Sequence, residues 1–396
     1  MSRFVIKSLL LFALFAKFGW CFEDPAKEQK PFYKSHKLFT AGEANYHSFR
    51  IPALVTAGDG TLIALCEGRV KSHHDFGDID IVMKRSFDNG VTWGEVERVV
   101  STGKGTWGNP TVVLERSTGV LFLFLSGNAE KMAQFGDRDD IEEDDGYAKI
   151  DEWGERRLYY AWSDNNGIGW TKPRDLTEKL VPNSYVWDAV GPGNGIQLDL
   201  GKHAGRLVIP AIGRNLISDD RGKTWSYEKL PSGTSESSIV ELSDGRLMRN
   251  DRATGSHKIR KSRMVSIQDF EGNWSRFDAH RSLVDPVSQA SILKYSGSPH
   301  RIIFLNAAKS NARSNMTLRM SYDNGITWPV SRPLVSGVSE SEVAYRNHGG
   351  YSSLVKTAGR KIGILYEYNE NVRDKESGRS IFFARANLGW LLNSAD

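Results

Sequence analysis

The octapeptide Ser-x-Asp-x-Gly-x-Thr-Trp recurs at residues 86–93, 218–225 and 321–328, and it restricts the fold of this 396-residue chain more tightly than any other feature. A fourth copy at 163–170 keeps Ser163, Gly167 and Trp170 but has Asn165 and Gly169 where the others carry Asp and Thr, and residues 266–274 read as an eroded fifth. Each residue type has a structural task. Aspartate bonds its own loop backbone, glycine supplies a left-handed conformation, and tryptophan packs beneath the adjoining hairpin. The motif predicts a locked turn between two strands, and its aspartates are read as structural.

Around the repeats, short runs of Val, Ile, Leu and Phe alternate with turn dipeptides. Residues 53–55 and 62–65 flank Asp59-Gly60, 112–114 and 120–125 flank Thr118-Gly119, and 239–242 and 246–248 flank Asp244-Gly245. No long helical period competes. Strand-turn-strand units repeated at intervals of tens of residues predict an all-β chain with blades arranged radially, a β-propeller, although the repeats do not fix the number of blades. With 39% hydrophobic residues there is ample material for a core, which excludes a disordered chain.

The charge balance is 52 − 48 = +4, spread without a basic tract, and this disfavours a nucleic-acid partner. Two cysteines, Cys21 and Cys66, exclude a disulfide-stapled scaffold. Residues 1–22 read as a secretory signal peptide: Arg3 and Lys7 precede an apolar run too short to span a bilayer, and Gly19 and Cys21 follow. Residues 23–38 are expected as a linker and 39–396 as one domain, so the chain is expected outside the cytoplasm without a membrane span. Asn273 and Asn315 open glycosylation sequons. The acidic stretch 137–145 reads as a solvated insertion, with divalent-cation binding as the sharper alternative.

The tripeptide Arg50-Ile51-Pro52 after Phe49, together with the three octapeptides, resembles the exo-sialidase (neuraminidase) family shared by bacteria and animals. The resemblance runs from about residue 39 to 391. It implies a six-bladed propeller with the active site at its hub, no metal and no cofactor, and sialylated glycans as partners. Its arginine clamp for the substrate carboxylate matches Arg50, Arg252 of Met-Arg-Asn-Asp-Arg, and Arg313 of Asn-Ala-Arg-Ser-Asn, with Arg319 and Arg346 as rivals. Guanidinium forks suit that task because they bind carboxylates bidentately and stay charged.

The family's nucleophile matches Tyr351 in Gly-Gly-Tyr-Ser-Ser, and its partner base matches Glu236, with Glu241 as the alternative. A neutral phenol avoids the repulsion that a carboxylate nucleophile meets at an anomeric carbon already bearing a carboxylate. The acid/base position matches Asp75, with Asp78 and Asp80 close by; Glu67 and Arg69 match pocket-lining positions, and Glu367 matches the acid that orients Arg50. Asn109-Pro110 stands where many bacterial relatives have Asp-Pro, Asn194 falls at a variable position, and Trp187 is read as an aglycone contact. Gly222-Lys223-Thr224 lies inside a repeat and is not a phosphate loop, His73-His74 reads as loop, and no GxSxG elbow occurs. The resemblance thus implies a retaining exo-sialidase, with transfer to a sugar acceptor or a silent sialic-acid-binding propeller as alternatives.

Overall fold

The turn dipeptides set the hairpin registers as expected: Thr56 pairs with Leu62 around Asp59-Gly60, Leu114 with Leu121 around Thr118-Gly119, and Glu241 with Leu247 around Asp244-Gly245. The structure, a computed structural model, describes residues 23–135, 146–334, 349–369 and 378–393. The signal peptide expected at 1–22, the acidic run 137–145 and Arg346 lie outside the described residues. Strand accounts for 48% of the structure and helix for 7%, so the chain is all-β.

Apart from a short parallel pair, Met132–Ala133 with Ala148–Lys149, the strands fall into four-strand antiparallel runs, six among the described residues. The first comprises Ser48–Thr56, Leu62–Arg69, Ile79–Ser86 and Glu97–Val100; the second comprises Thr106–Leu114, Leu121–Asn128, Arg157–Ser163 and Arg174–Asp175. A parallel bridge between Ile79 and Thr106 joins these two into one larger sheet, and Gly193–Asn194 adds parallel to Thr106–Leu114. The third runs Ile196–Gln197, Leu207–Ala211, Arg214–Ser218, Ser226–Lys229, and the fourth Thr234–Glu241, Leu247–Ala253, Ser262–Ile267, Asp278–Val284. The fifth runs Ser291–Gly297, His300–Ala307, Met316–Ser321, Val330–Pro333.

The sixth run combines Gly349–Lys356, Ile362–Tyr368 and Ser380–Ala386 with Tyr33–Phe39 from the other end of the chain. This corrects the reading of 23–38 as a linker. Lys34, Ser35 and His36 are exposed, which hid the strand in the sequence; an edge strand needs backbone pairing and only a few inward side chains, here Leu38 and Phe39.

Strands such as Leu62–Arg69 are buried along their whole length because both faces of each sheet are covered. Leu54, Leu62 and Val82 of the first run pack on Leu365, Ile381 and Phe383 of the sixth, and Ile63, Leu65 and Met83 pack on Val112, Leu121 and Leu123 of the second. Further apolar layers join second to third, third to fourth, fourth to fifth and fifth to sixth. Among the described residues no helix is long and apolar enough to cross a membrane.

Candidate active site

The first strands of several runs are bulged at the same end, and each bulge carries a residue singled out in the sequence. Pairing slips between Arg50 and Ala53, between Gly108 and Thr111, between Thr234 and Ser237, and between Gly349 and Ser352. A bulge turns a side chain out of the regular alternation. Arg50, Asn109, Glu236 and Tyr351 thereby line one cleft of about 730 Å³. Two of these bulges precede proline and hold non-glycine residues at positive φ: Ile51 at +61° and Asn109 at +54°. For β-branched Ile51 this is a strained conformation, and its amide is fixed by a 2.9 Å bond to the Glu367 carboxylate.

Glu367 holds one side of the cleft together. It accepts from Arg50 Nε at 3.1 Å and from the Tyr351 amide at 3.1 Å as well as from Ile51. Burial opposes its ionisation, but the Arg50 charge and these amides outweigh it and lower its pKa. Its close approach requires Gly350, where a Cβ would come within 2.0 Å of Glu367 Oε2.

On the floor, the Tyr351 hydroxyl donates a short hydrogen bond to Glu236 Oε1, and Arg252 Nη1 donates to Glu236 Oε2 at 2.7 Å and to the Tyr351 oxygen at 2.8 Å. Arg50 and Arg313 lie over the Tyr351 ring at 5.3 and 5.4 Å. Burial and the Glu236 charge raise the pKa of the phenol against the opposing pull of the three arginines, so it is neutral at physiological pH.

On the other wall, Glu67 accepts from Arg69 Nη2 at 2.6 Å and from the Asn109 amide at 3.0 Å, while burial pushes its carboxyl up. Asp75, on the loop between Leu62–Arg69 and Ile79–Ser86, meets Arg50 Nη1 at 2.7 Å and Arg69 Nη2 at 2.8 Å. Its side chain is 74% exposed at the cleft mouth. Crowding by the cleft walls opposes its ionisation, but Arg69 and Arg50 outweigh this and hold it well below the usual carboxylate range.

The rivals fall elsewhere. Glu241 pairs with Lys294 at 2.6 Å, Asp80 accepts from Tyr46 at 2.7 Å, Arg319 donates to Asn306 at 2.8 Å, and none of these lines the cleft, nor does Asp78. Asn194 ties two first strands together, bonding the Leu54 carbonyl and Ser353, and is not part of the site.

Comparison with known proteins bears on what such a cleft belongs to. Residues 60–364 match the family model of a BNR repeat-like domain. The chain is 40% identical to the exo-alpha-sialidase of Aspergillus fumigatus over 99% of this chain and 98% of that protein, and 37% identical to the exo-alpha-sialidase of Arthroderma benhamiae over 94% and 93%. The solved structure of a Hadza microbial sialidase, Hz136, matches with a TM-score of 0.72 at 25% identity, covering 90% of this chain and 69% of that one. The chain belongs to the sialidase family.

In this sialidase chain the cleft also contains arginines that the motifs did not reveal. Arg156 donates to Asn109 Oδ1 at 2.7 Å and to the Asp188 carbonyl at 2.9 Å, and also bonds Asn128. Its guanidinium lies 4.1 Å from the Trp187 ring, so one face of that expected aglycone contact is already covered. Burial lowers Arg156 to about 10, still charged at neutral pH. Arg379 lines the cleft just ahead of Ser380–Ala386. No sequence pattern surrounds either residue.

Proposed function

We propose that the chain is an exo-α-sialidase that releases terminal sialic acid from sialylated glycans with retention of configuration. The observation that carries this reading is the Tyr351 hydroxyl bonded to Glu236 beneath arginines suited to a carboxylate. Arg50, Arg252 and Arg313 hold the substrate carboxylate. Tyr351 Oη attacks the anomeric carbon and its proton passes to Glu236, while the glycosidic bond breaks and Asp75 protonates the departing oxygen. Water then attacks the same carbon, giving a proton to Asp75, and the phenol departs and regains its proton from Glu236.

Asp75 is ionised in the free cleft because it shares Arg50 and Arg69. A substrate carboxylate arriving on Arg50 takes that share of the charge, raises the Asp75 pKa and frees it to act as an acid. Tyr351, held neutral until attack, develops its negative charge beside Arg252 and under Arg50 and Arg313, where the charge is stabilised without reorganisation.

The same reading closes the six runs into a six-bladed β-propeller. It is supported by the succession of apolar layers from one run to the next and back to the first, and by contact of Ser48–Thr56 with both Thr106–Leu114 and Gly349–Lys356. It also takes residues 1–22 as an export leader, so protein recovered outside the producing cell begins near residue 23; recovery beginning at Met1 overturns that part.

The test is release of a fluorescent phenol from its sialoside by the purified protein, beside Tyr351→Phe and a glycoside lacking the carboxylate. The sialoside alone is cleaved, and Tyr351→Phe lowers kcat at least about 10³-fold. Absence of turnover by a folded protein that still binds sialosides overturns the hydrolase reading, and transfer of the sugar to added galactoside in place of water assigns a transferase.

A further inference from the structure

The geometry points to Arg379 as the binding site for a second anionic group, carried on the leaving sugar of the substrate. Its backbone is locked against the first strand: the Arg379 amide donates to Ser48 Oγ at 3.0 Å, and its carbonyl accepts from the Phe49 amide at 2.8 Å, one residue before Arg50. From there the half-buried side chain lines the cleft beside His73, on the wall that carries the Asp75 loop. The Arg379 charge is among those that lower the neighbouring imidazole of His73 to about 4, after burial, so His73 is neutral and adds no cation to that wall.

Among the described residues Arg379 has no counter-ion, and unlike Arg156, whose guanidinium is taken up by Asn109, Asn128 and the Asp188 carbonyl, its side chain has no hydrogen-bond partner there either. Arg50 is paired with Glu367 and Asp75, Arg69 with Glu67 and Asp75, and Arg252 with Glu236. Among the described residues, no carboxylate lies within ion-pair distance of Arg379. Withdrawal from water and the like charges of Arg50, Arg69 and Arg313 weaken its hold on a proton, with Glu367 only partly offsetting them. A half-buried guanidinium in this position is stabilised by an incoming anion.

The position identifies where that anion belongs. The substrate's own carboxylate is taken by the clamp, and the leaving oxygen has to come within hydrogen-bond reach of Asp75. The sugar attached to that oxygen then passes the wall formed by Asp75, His73 and Arg379. A carboxylate on that sugar, as in an oligosialic acid, or a sulfate ester meets Arg379; a neutral sugar leaves it unpaired.

This inference rests on the sialidase reading and is tested separately from it. Values of kcat/KM are measured for three substrates: a sialoside of neutral lactose, the same with a second sialic acid as the leaving sugar, and one whose leaving sugar carries a sulfate ester. The wild-type protein favours one or both anionic leaving groups over the neutral one, and the favour shrinks as ionic strength rises. Arg379→Gln lowers the anionic-to-neutral ratio about ten-fold, and Arg379→Lys restores part of it. The two anionic arms distinguish carboxylate from sulfate. A wild-type ratio near one, or a ratio within two-fold of wild type in Arg379→Gln, overturns the assignment. So does a ratio that collapses in Lys258→Gln instead, since Lys258 also lines the cleft with no acidic partner among the described residues. Failure of all three substrates with wild type counts against the sialidase reading itself.

Discussion

Tyr351 and Asp75 stand in opposite protonation states in the free cleft, the phenol neutral and the carboxyl ionised, and the proposed chemistry requires both to change on the way to the transition state. That makes the leaving group diagnostic. A phenol aglycone departs without help, whereas a sugar hydroxyl needs a proton. Asp75→Asn is therefore expected to lower kcat/KM by about 10²–10⁴-fold on sialyl-lactose but by about ten-fold or less on a sialoside of an acidic phenol. Equal losses on both remove Asp75 from the acid role. These residues were legible in the sequence because each sits in a short pattern that matches the family's; the same patterns left Glu241 beside Glu236 and Asp80 beside Asp75 as alternatives, since which of each pair faces the cleft depends on the bulge that turns Glu236 and the loop that carries Asp75. Only the fold draws Glu241 to Lys294 and Asp80 to Tyr46. Arg156 and Arg379 were illegible for a related reason: they enter the cleft through tertiary contacts, and nothing in the adjoining sequence marks them.

At the scale of the element, the repeated octapeptide does what its residue types require. In the second full copy, Ser218 Oγ donates to Asp220 at 2.8 Å and accepts the Gly222 amide at 2.8 Å, and Asp220 takes the Thr224 amide at 2.9 Å and its hydroxyl at 2.6 Å. The other full copies repeat this pattern. The sequence did not reveal that the glycine also seats one sheet against its neighbour: a Cβ at Gly90 would lie 2.3 Å from Phe383, one at Gly222 2.1 Å from Phe122, and one at Gly325 2.9 Å from Met248. Each partner belongs to an adjacent run. Gly222→Ala is thus expected to destabilise the protein by about 2 kcal/mol or more, from left-handed strain and overpacking together. Gly103→Ala, at φ +72° with open space around it, loses about 1 kcal/mol from strain alone. Equal shifts of the urea midpoint would show that the neighbour does not matter. The same turns are acid-sensitive. Asp88 is lowered to about 2 by its bonds to Thr92, and Asp220 to about 2 by its bonds to Thr224 and Ser218 despite the opposing effect of burial. Their folded values lie below the unfolded ones, so the stability they add is present above about pH 4 and lost as pH falls toward 2. Asp220→Asn reduces stability at pH 7 and makes the remaining acid dependence shallower.

For the molecule as a whole, residues 32–39 are fastened to residues 380–390, the two ends of the described part of the chain. Tyr33–Phe39 completes the sixth run beside Ser380–Ala386, Tyr33 stacks on Trp390 at 4.6 Å, and the Asn387 side chain accepts from the Phe32 amide at 2.9 Å. Further upstream, Asp24 is buried against the fifth run, where it receives Arg301 Nη2 at 2.5 Å and Nε at 2.7 Å together with the Tyr322 hydroxyl at 2.8 Å. Burial works against this carboxylate, but the Arg301 bonds, the Ala26 amide and Tyr322 overcome it and lower its pKa. Such a pair is not a large net gain over apolar residues of the same shape, yet losing one partner strands the other without compensation. Asp24→Ala is accordingly expected to cost about 3–5 kcal/mol by leaving Arg301 unpaired, whereas Asp24→Ala with Arg301→Met costs less than the single change. Because the folded pKa of Asp24 is depressed, its contribution is complete above the ordinary aspartate range and disappears as pH falls below it, so wild type and Asp24→Ala converge in stability toward acid. Urea unfolding of the three proteins at pH 7 and at acid pH measures both effects. A double variant no more stable than the single one, or a gap that persists unchanged in acid, would mean that residue 24 is held against the fifth run by packing and not by charge.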